Sequence, residues 1–277
     1  MKTTCAIALL VANTIIWAPS FAQADTVKHK LAFKAGLFYT STLHYYGRTD
    51  SMKSSGAIPL AELWFTQKLY VSAAPVFVSN AVQHLKYAGT VVTAGYQHNN
   101  GKSLSHIYLV KPIYKSNSQL VQSALKAQLS ASFTWLNKIV NTTIGADAKL
   151  SNHTDYGATA GIDHIFIKKL PKEAKLIVDP GANLYAGTQQ FTKTYYEKRQ
   201  FLIFPVPEQE TKKMGKRFVI LSYELTAPLI YARGKYLFIL SPAYTIPQNL
   251  ITVSDKAELS EKGKNLFAVT LGGKFNF

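Results

Sequence analysis

The stretch that decides the fold is Phe267-Ala268-Val269-Thr270-Leu271-Gly272-Gly273-Lys274-Phe275-Asn276-Phe277. Side chains alternate across a strand, so Phe267, Val269, Leu271, Gly273, Phe275 and Phe277 share one face. Ala268, Thr270, Gly272, Lys274 and Asn276 share the other. A helical period would mix the two sets. The same division recurs upstream. Leu125, Ala127, Leu129, Ala131, Phe133 and Trp135 alternate with Lys126, Gln128, Ser130, Ser132 and Thr134. Val140, Thr142, Ile144, Ala146, Ala148 and Leu150 alternate with Asn141, Thr143, Gly145, Asp147 and Lys149. One apolar and one polar face is what a sheet between two different environments requires.

Outward from these stretches the whole chain reads as strands, near 31–42, 57–67, 69–81, 87–98, 102–113, 121–136, 138–150, 156–167, 174–188, 218–232, 235–246 and 265–277. Ten or fourteen strands also satisfy the pattern, since boundaries shift by a few residues. Short connections fall at Gln67-Lys68, Asn99-Asn100-Gly101, Asn137-Lys138, Lys168 to Glu173 and Arg233-Gly234. Asn-Gly is a tight-hairpin signal. Longer ones fall at 43–56, 82–86, 114–120, 151–155, 189–217 and 247–264. Alternation of short turns with long loops, in an even number of strands, predicts an all-β, antiparallel, up-and-down transmembrane barrel of about twelve strands.

Residues 1–24 read as a signal peptide. Lys2 opens a mostly apolar Cys5–Trp17 stretch, and Ala22-Gln23-Ala24 offers a small-x-small cleavage pattern. Residues 25–277 then form a single barrel domain. With Cys5 as the only cysteine, a disulfide framework and a Cys-rich metal module are excluded.

Across residues 25–277 the pattern resembles bacterial outer-membrane β-barrels as a class. The last strand of that class typically ends in Phe and is read by the barrel-assembly machinery. The resemblance implies an outer-membrane location, assembly signals at Phe275 and Phe277, and lipid and lipopolysaccharide as surroundings. A soluble sandwich, the competing fold, would turn its apolar faces inward and would not sort aromatics by height. Here Tyr70, Tyr96, Trp135, Phe166, Tyr231 and Tyr236 lie beside short turns, while Tyr39, Phe77, Tyr87, Tyr156, Tyr244 and Phe267 lie nearer long loops. Two girdles at two water–lipid boundaries are expected. Pro59, Pro75, Pro112, Pro180, Pro228 and Pro242 fall inside strands, where a missing N–H forces an irregularity. Pro59 and Pro75 are about equally far from their shared turn, so they are expected to face one another in an irregular band.

The chain carries a net charge of +16, mostly in turns and loops. The strands themselves are nearly balanced: Lys34, Lys111, Lys126, Lys149, Lys175 and Lys274 stand against Glu62, Asp147, Asp163, Asp179 and Glu224. These are expected to pair inside a narrow lumen, because unpaired buried charge is costly. The basic loops suit a solvated rim near anionic headgroups, and nothing beyond net charge supports nucleic-acid binding.

No catalytic constellation emerges, and no enzyme activity or cofactor is expected. A His–x–Ser pair along one strand would let an imidazole activate a hydroxyl. None of His29, His44, His84, His98, His106, His153 and His164 has Ser at that spacing. Asp163-His164 is the one adjacent acid–base pair of the rim-protease kind, and it maps to the short-turn end. His44, His84 and His153, with Asp50, Asp155 and Asp255, would bind a metal only if their loops converged. Neither glycine-rich nucleotide loops nor paired-Cys motifs occur, so no metal is assigned. The 189–217 loop, with Phe201 to Pro207 as an apolar block, would fill the lumen, pack on the rim or meet a partner. The function expected is a narrow passive channel for small polar solutes or a closed structural barrel, monomeric by default. A loop-based adhesion barrel is the alternative, and a lipid-modifying enzyme a more distant one.

Overall fold

The computed structural model describes residues 31–49, 54–114, 125–189, 217–250 and 264–277. Residues 1–24, expected as a signal peptide, residues 190–216 of the 189–217 loop and residues 251–263 of the 247–264 loop lie outside them. Seventeen strands occur among the described residues, all antiparallel: β1 (Ala32–Thr40), β2 (His44–Tyr45), β3 (Arg48–Thr49), β4 (Ser55–Trp64), β5 (Leu69–Ser79), β6 (Lys86–Asn99), β7 (Ser103–Tyr114), β8 (Ala127–Trp135), β9 (Asn141–Leu150), β10 (Thr154–Asp163), β11 (Phe166–Lys169), β12 (Lys175–Val178), β13 (Gly181–Gly187), β14 (Val219–Thr226), β15 (Leu229–Arg233), β16 (Tyr236–Pro247) and β17 (Leu266–Asn276).

Three pairs, β10 with β11, β12 with β13 and β14 with β15, are single staves broken by two residues. The register Asp163–Gly181 on one side of the break continues as Phe166–Val178 on the other, without a slip. Counted so, the described residues form twelve staves, each hydrogen-bonded to its neighbours in chain order. The β2–β3 hairpin stands apart from them. The wall closes between β17 and β1, with Lys34 opposite Asn276 and Thr40 opposite Thr270. Closure removes every sheet edge, which is the only way strands can cross a hydrocarbon layer.

The prolines explain the breaks. Pro180 and Pro228 sit in two of them, unable to donate, but their carbonyls still accept. His164 N–H donates to Pro180 O at 3.1 Å, Asp179 N–H to Pro228 O at 3.0 Å, and Ala227 N–H to Pro242 O at 3.2 Å. In the β4–β5 ladder the rungs stop at Ala61–Ala73 and resume at Ala57–Phe77, leaving Pro59 opposite Pro75 in the gap. The expected irregular band is there.

Side-chain direction follows the alternation. On β8, Leu129 is 54% and Trp135 49% exposed, whereas Gln128 is 4% and Thr134 2%. On β17, Phe267 and Leu271 are exposed and Ala268 is buried. Tyr96, Trp135, Phe166 and Tyr236 are exposed on the short-turn side, and Tyr39, Tyr87, Tyr156, Tyr244 and Phe267 on the long-loop side. Tyr70 departs from the expected girdle. It has inward parity on β5 and is buried, and Gly95 opposite makes the room, since a Cβ there would sit 2.5 Å from the Tyr70 ring.

The interior is not uniformly polar. Phe38, Ile58, Val76, Val78, Val91 and Val110 form an apolar cluster toward the long-loop ends of β1 and β4–β7. Ile177, Ile230 and Ile239 extend it near the short turns of the opposite wall.

Candidate functional site

The inward hairpin β2–β3 is the first element of the interior. Tyr46 and Gly47 form its two-residue turn with φ of 50° and 77°, the left-handed pair that a type I′ turn requires. Gly47 is needed twice over, because a Cβ would strike the Pro247 ring at 2.9 Å. Arg48 fastens the hairpin to the mouth. Its Nη1 donates to Tyr46 O at 3.2 Å and Leu221 O at 3.1 Å, and its Nη2 to Gln248 O at 3.0 Å. Leu43 is buried, and the Tyr46 ring lies 5.0 Å from that of Tyr185 and under the Lys149 ammonium. His44 is buried too. Its Nδ1 accepts from Gly47 N–H at 3.3 Å, and burial pushes its pKa down to about 4, keeping the ring neutral.

A second group straddles the closure seam. Glu62 Oε1 accepts from Lys274 Nζ at 2.8 Å and Glu62 Oε2 from Trp64 Nε1 at 2.9 Å. Lys34 stands 4.1 Å above the Trp64 ring. Trp64 stacks on Tyr70 at 4.7 Å, Tyr70 Oη bonds His106 Nε2 at 2.9 Å, and His106 stacks on Tyr108 at 4.6 Å. Aromatic contacts of this kind add to burial.

A cavity of about 180 Å³ lies in the lumen. Tyr45 and Tyr46 of the hairpin line it, together with Tyr108, Gln128, Ser130, Asp147, Lys149, Asp163, Asp179, Asn183 and Tyr185. Lys149 is ion-paired with Asp147, and Asn141 Nδ2 donates to Asp163 Oδ2 at 2.7 Å. Gln128 Nε2 donates to Ser130 Oγ at 2.8 Å. Just beside the cavity, Glu224 accepts from Tyr185 Oη and Thr245 Oγ1, each at 3.2 Å.

The strand charges expected in the lumen therefore fall into separate groups. Lys34, Glu62 and Lys274 meet at the seam, Asp147, Lys149, Asp163 and Asp179 at the cavity, and Glu224 beside it. Lys175 has inward parity near the short turns, opposite Ala232. Two assignments are corrected. Lys111 lies between buried Val110 and Pro112, so it points outward and is exposed. Lys126 precedes β8 by one residue and is also exposed. The first was placed inward for its charge alone, although it shares the face of Ile107, Leu109 and Ile113, and the second because β8 starts later than the alternation suggests.

Asp163 and His164 diverge, the former to Asn141 and the latter to the Ile139 carbonyl of a short turn. His84 and His153 are exposed while His44 is buried in the hairpin, and no metal-type cluster occurs among the described residues. Arg48, Tyr46, Tyr70 and Gln128 were missed as site residues. Only the Tyr46-Gly47 turn carried a local signal, and a long loop gave no reason to fold it inward.

Apolar and aromatic side chains cover the outside in two bands, while the ionised groups of the wall mostly turn in. The chain is a transmembrane β-barrel.

No protein-family model and no curated protein matches it. Solved structures similar to it include a KdgM porin, at TM-score 0.49 and 9% identity over 88% of this chain and 99% of that one. An outer membrane channel from Pseudomonas putida F1 gives 0.45 and 12% over 94% and 100%. A NanC porin gives 0.43 and 9% over 89% and 99%. Likeness at this level says nothing about the solute of this barrel.

Proposed function

We propose that the chain is a narrow passive channel of the bacterial outer membrane for small polar solutes, without enzymatic activity. The observation that carries this is the cavity inside a closed wall, lined by polar and aromatic side chains and held under a hairpin that Arg48 fastens to the mouth. A twelve-stave barrel leaves little open area once side chains fill it, so an inward hairpin is enough to narrow it. An interior meant only for rigidity would be packed without a void of this size. Residues 1–24 serve as the export signal, Phe275 and Phe277 as the assembly signal, and the basic rim faces lipopolysaccharide. The barrel works as a monomer.

Planar-bilayer recording tests this. Discrete conductance steps are expected from the purified chain, larger when the hairpin is deleted. A bilayer silent for both forms across a wide voltage and salt range would leave a closed structural barrel, the reading favoured by the apolar cluster around Phe38.

A further inference from the structure

One sector of the wall carries cations and nothing to balance them. Between Glu62 and Asp147 the sequence has seven lysines and no acid, and that stretch contains β5 to β8. Within it, Lys111 faces lipid. It shares the outward side of β7 with Ile107, Leu109 and Ile113, all exposed. Among the described residues no carboxylate pairs with Lys86, Lys111 or Lys126. A lipid-facing lysine is costly at mid-depth and cheap only near the boundary, where its ammonium finds water or an anion.

Height along the staves places these cations at that boundary. On β6 the outward Tyr96 and Tyr87 mark the two edges of the apolar band, nine residues apart. On β8 the exposed Lys126 stands nine residues from Trp135, level with the edge that Tyr87 marks. Lys111 lies on the stave between them, opposite Val92, with Ile113 above it opposite Thr90. Its four-carbon stem is long enough to bring the ammonium to the headgroup level. Lys86, exposed beside Tyr87, adds a third cation at the rim. Tyr87 Oη and Thr90 Oγ1, bonded to each other at 2.8 Å, give the same patch two hydroxyls.

The patch therefore has cations and hydroxyls at its top and aliphatic surface beneath. Phosphate oxygens accept charge-assisted hydrogen bonds from lysine, and acyl chains cover aliphatic surface. A soluble anion would use only the upper half, whereas a lipid uses both.

We infer that the long-loop end of β6, β7 and β8 binds a phosphorylated lipid of the outer leaflet, with Lys111 and Lys126 on the phosphate and Ile107, Leu109 and Ile113 along an acyl chain. This rests on the outer-membrane reading above and narrows the contact with lipopolysaccharide from a whole rim to one side of the barrel.

Native mass spectrometry of the purified full chain, titrated in detergent with lipid A, tests the site. EDTA is included to remove divalent ions that would bridge phosphates. One saturable lipid adduct is expected, and none with lipid A stripped of its phosphates. Lys111→Gln/Lys126→Gln is expected to weaken binding about tenfold. Lys102→Gln/Lys138→Gln, which removes the same charge at the short turns, is expected to leave it unchanged. Heat-modifiable gel mobility verifies that each variant is folded, and Lys111→Gln alone serves if the double change misfolds. No adduct, an adduct indifferent to the phosphates, or equal binding by the two double variants overturns the site while leaving the barrel in its membrane. A chain that stays folded and dispersed with neither detergent nor lipid overturns the outer-membrane reading, and the site with it.

Discussion

Lys274 Nζ donates to Glu62 Oε1 at 2.8 Å, reaching past β1 to tie the last stave to the second. The pair spans the seam where the barrel closes, and Glu62 is buried beside both Lys34 and Lys274. Removing the carboxylate leaves two ammonium groups facing each other without compensation. Glu62→Ala is expected to destabilise the barrel by about 3–5 kcal/mol, and Lys274→Met by less, since Trp64 and Lys34 still serve Glu62. Urea unfolding in detergent, followed by Trp fluorescence, measures both.

Gly95 holds open the space that the Tyr70 ring occupies. A Val there forces the ring off its stack on Trp64 and away from His106. Overpacking of this kind costs about 1–3 kcal/mol. Gly95→Val is expected to lower the unfolding free energy by that amount. Gly95→Val/Tyr70→Ala, which removes the clash, is expected to lose less than the two single changes together.

Arg48 donates from the hairpin to the Leu221 and Gln248 carbonyls at the mouth. Arg48→Ala is expected to leave the barrel folded while widening the distribution of conductance states toward larger values. Single-channel recordings with unchanged amplitudes would show that the hairpin does not restrict the pore.

The seating of that hairpin is also pH-dependent. His44 has its pKa lowered to about 4 in the seated state, against the ordinary 6.5 when released. The released form therefore binds more protons, so seating is strong above about pH 6.5 and weakens as pH falls toward 4. Mean conductance is expected to rise over that range. His44→Gln, which keeps an acceptor but does not titrate, is expected to abolish the rise.

Much of the wall was legible because a half-lipid, half-aqueous sheet writes its period directly into the chain. Gln128 to Trp135 and Phe267 to Phe277 needed no partner to be read. The opposition of Pro59 and Pro75 followed from their distances to a shared turn. The interior was harder. Lys111 was read inward because it is charged, whereas its parity with Ile107, Leu109 and Ile113 turns it outward. Tyr70 is chemically a good girdle residue, but its parity with Ser72 and the glycine opposite it on the adjacent strand turn its ring in. The hairpin docks by backbone acceptors on Leu221 and Gln248, which no side-chain pattern records. Local periodicity fixes faces, whereas lumen contents depend on pairs far apart in sequence.

The outward and inward assignment underlies all of this, and a spin-label scan tests it most directly. Single cysteines placed in turn from Gln128 to Trp135, in a Cys5-free chain in lipid bilayers, report collision with oxygen and with a water-soluble nickel chelate. High oxygen access at Leu129, Ala131, Phe133 and Trp135, alternating with low access at Gln128, Ser130, Ser132 and Thr134, is the result expected. A flat profile, or oxygen access highest at the polar positions, would contradict the barrel.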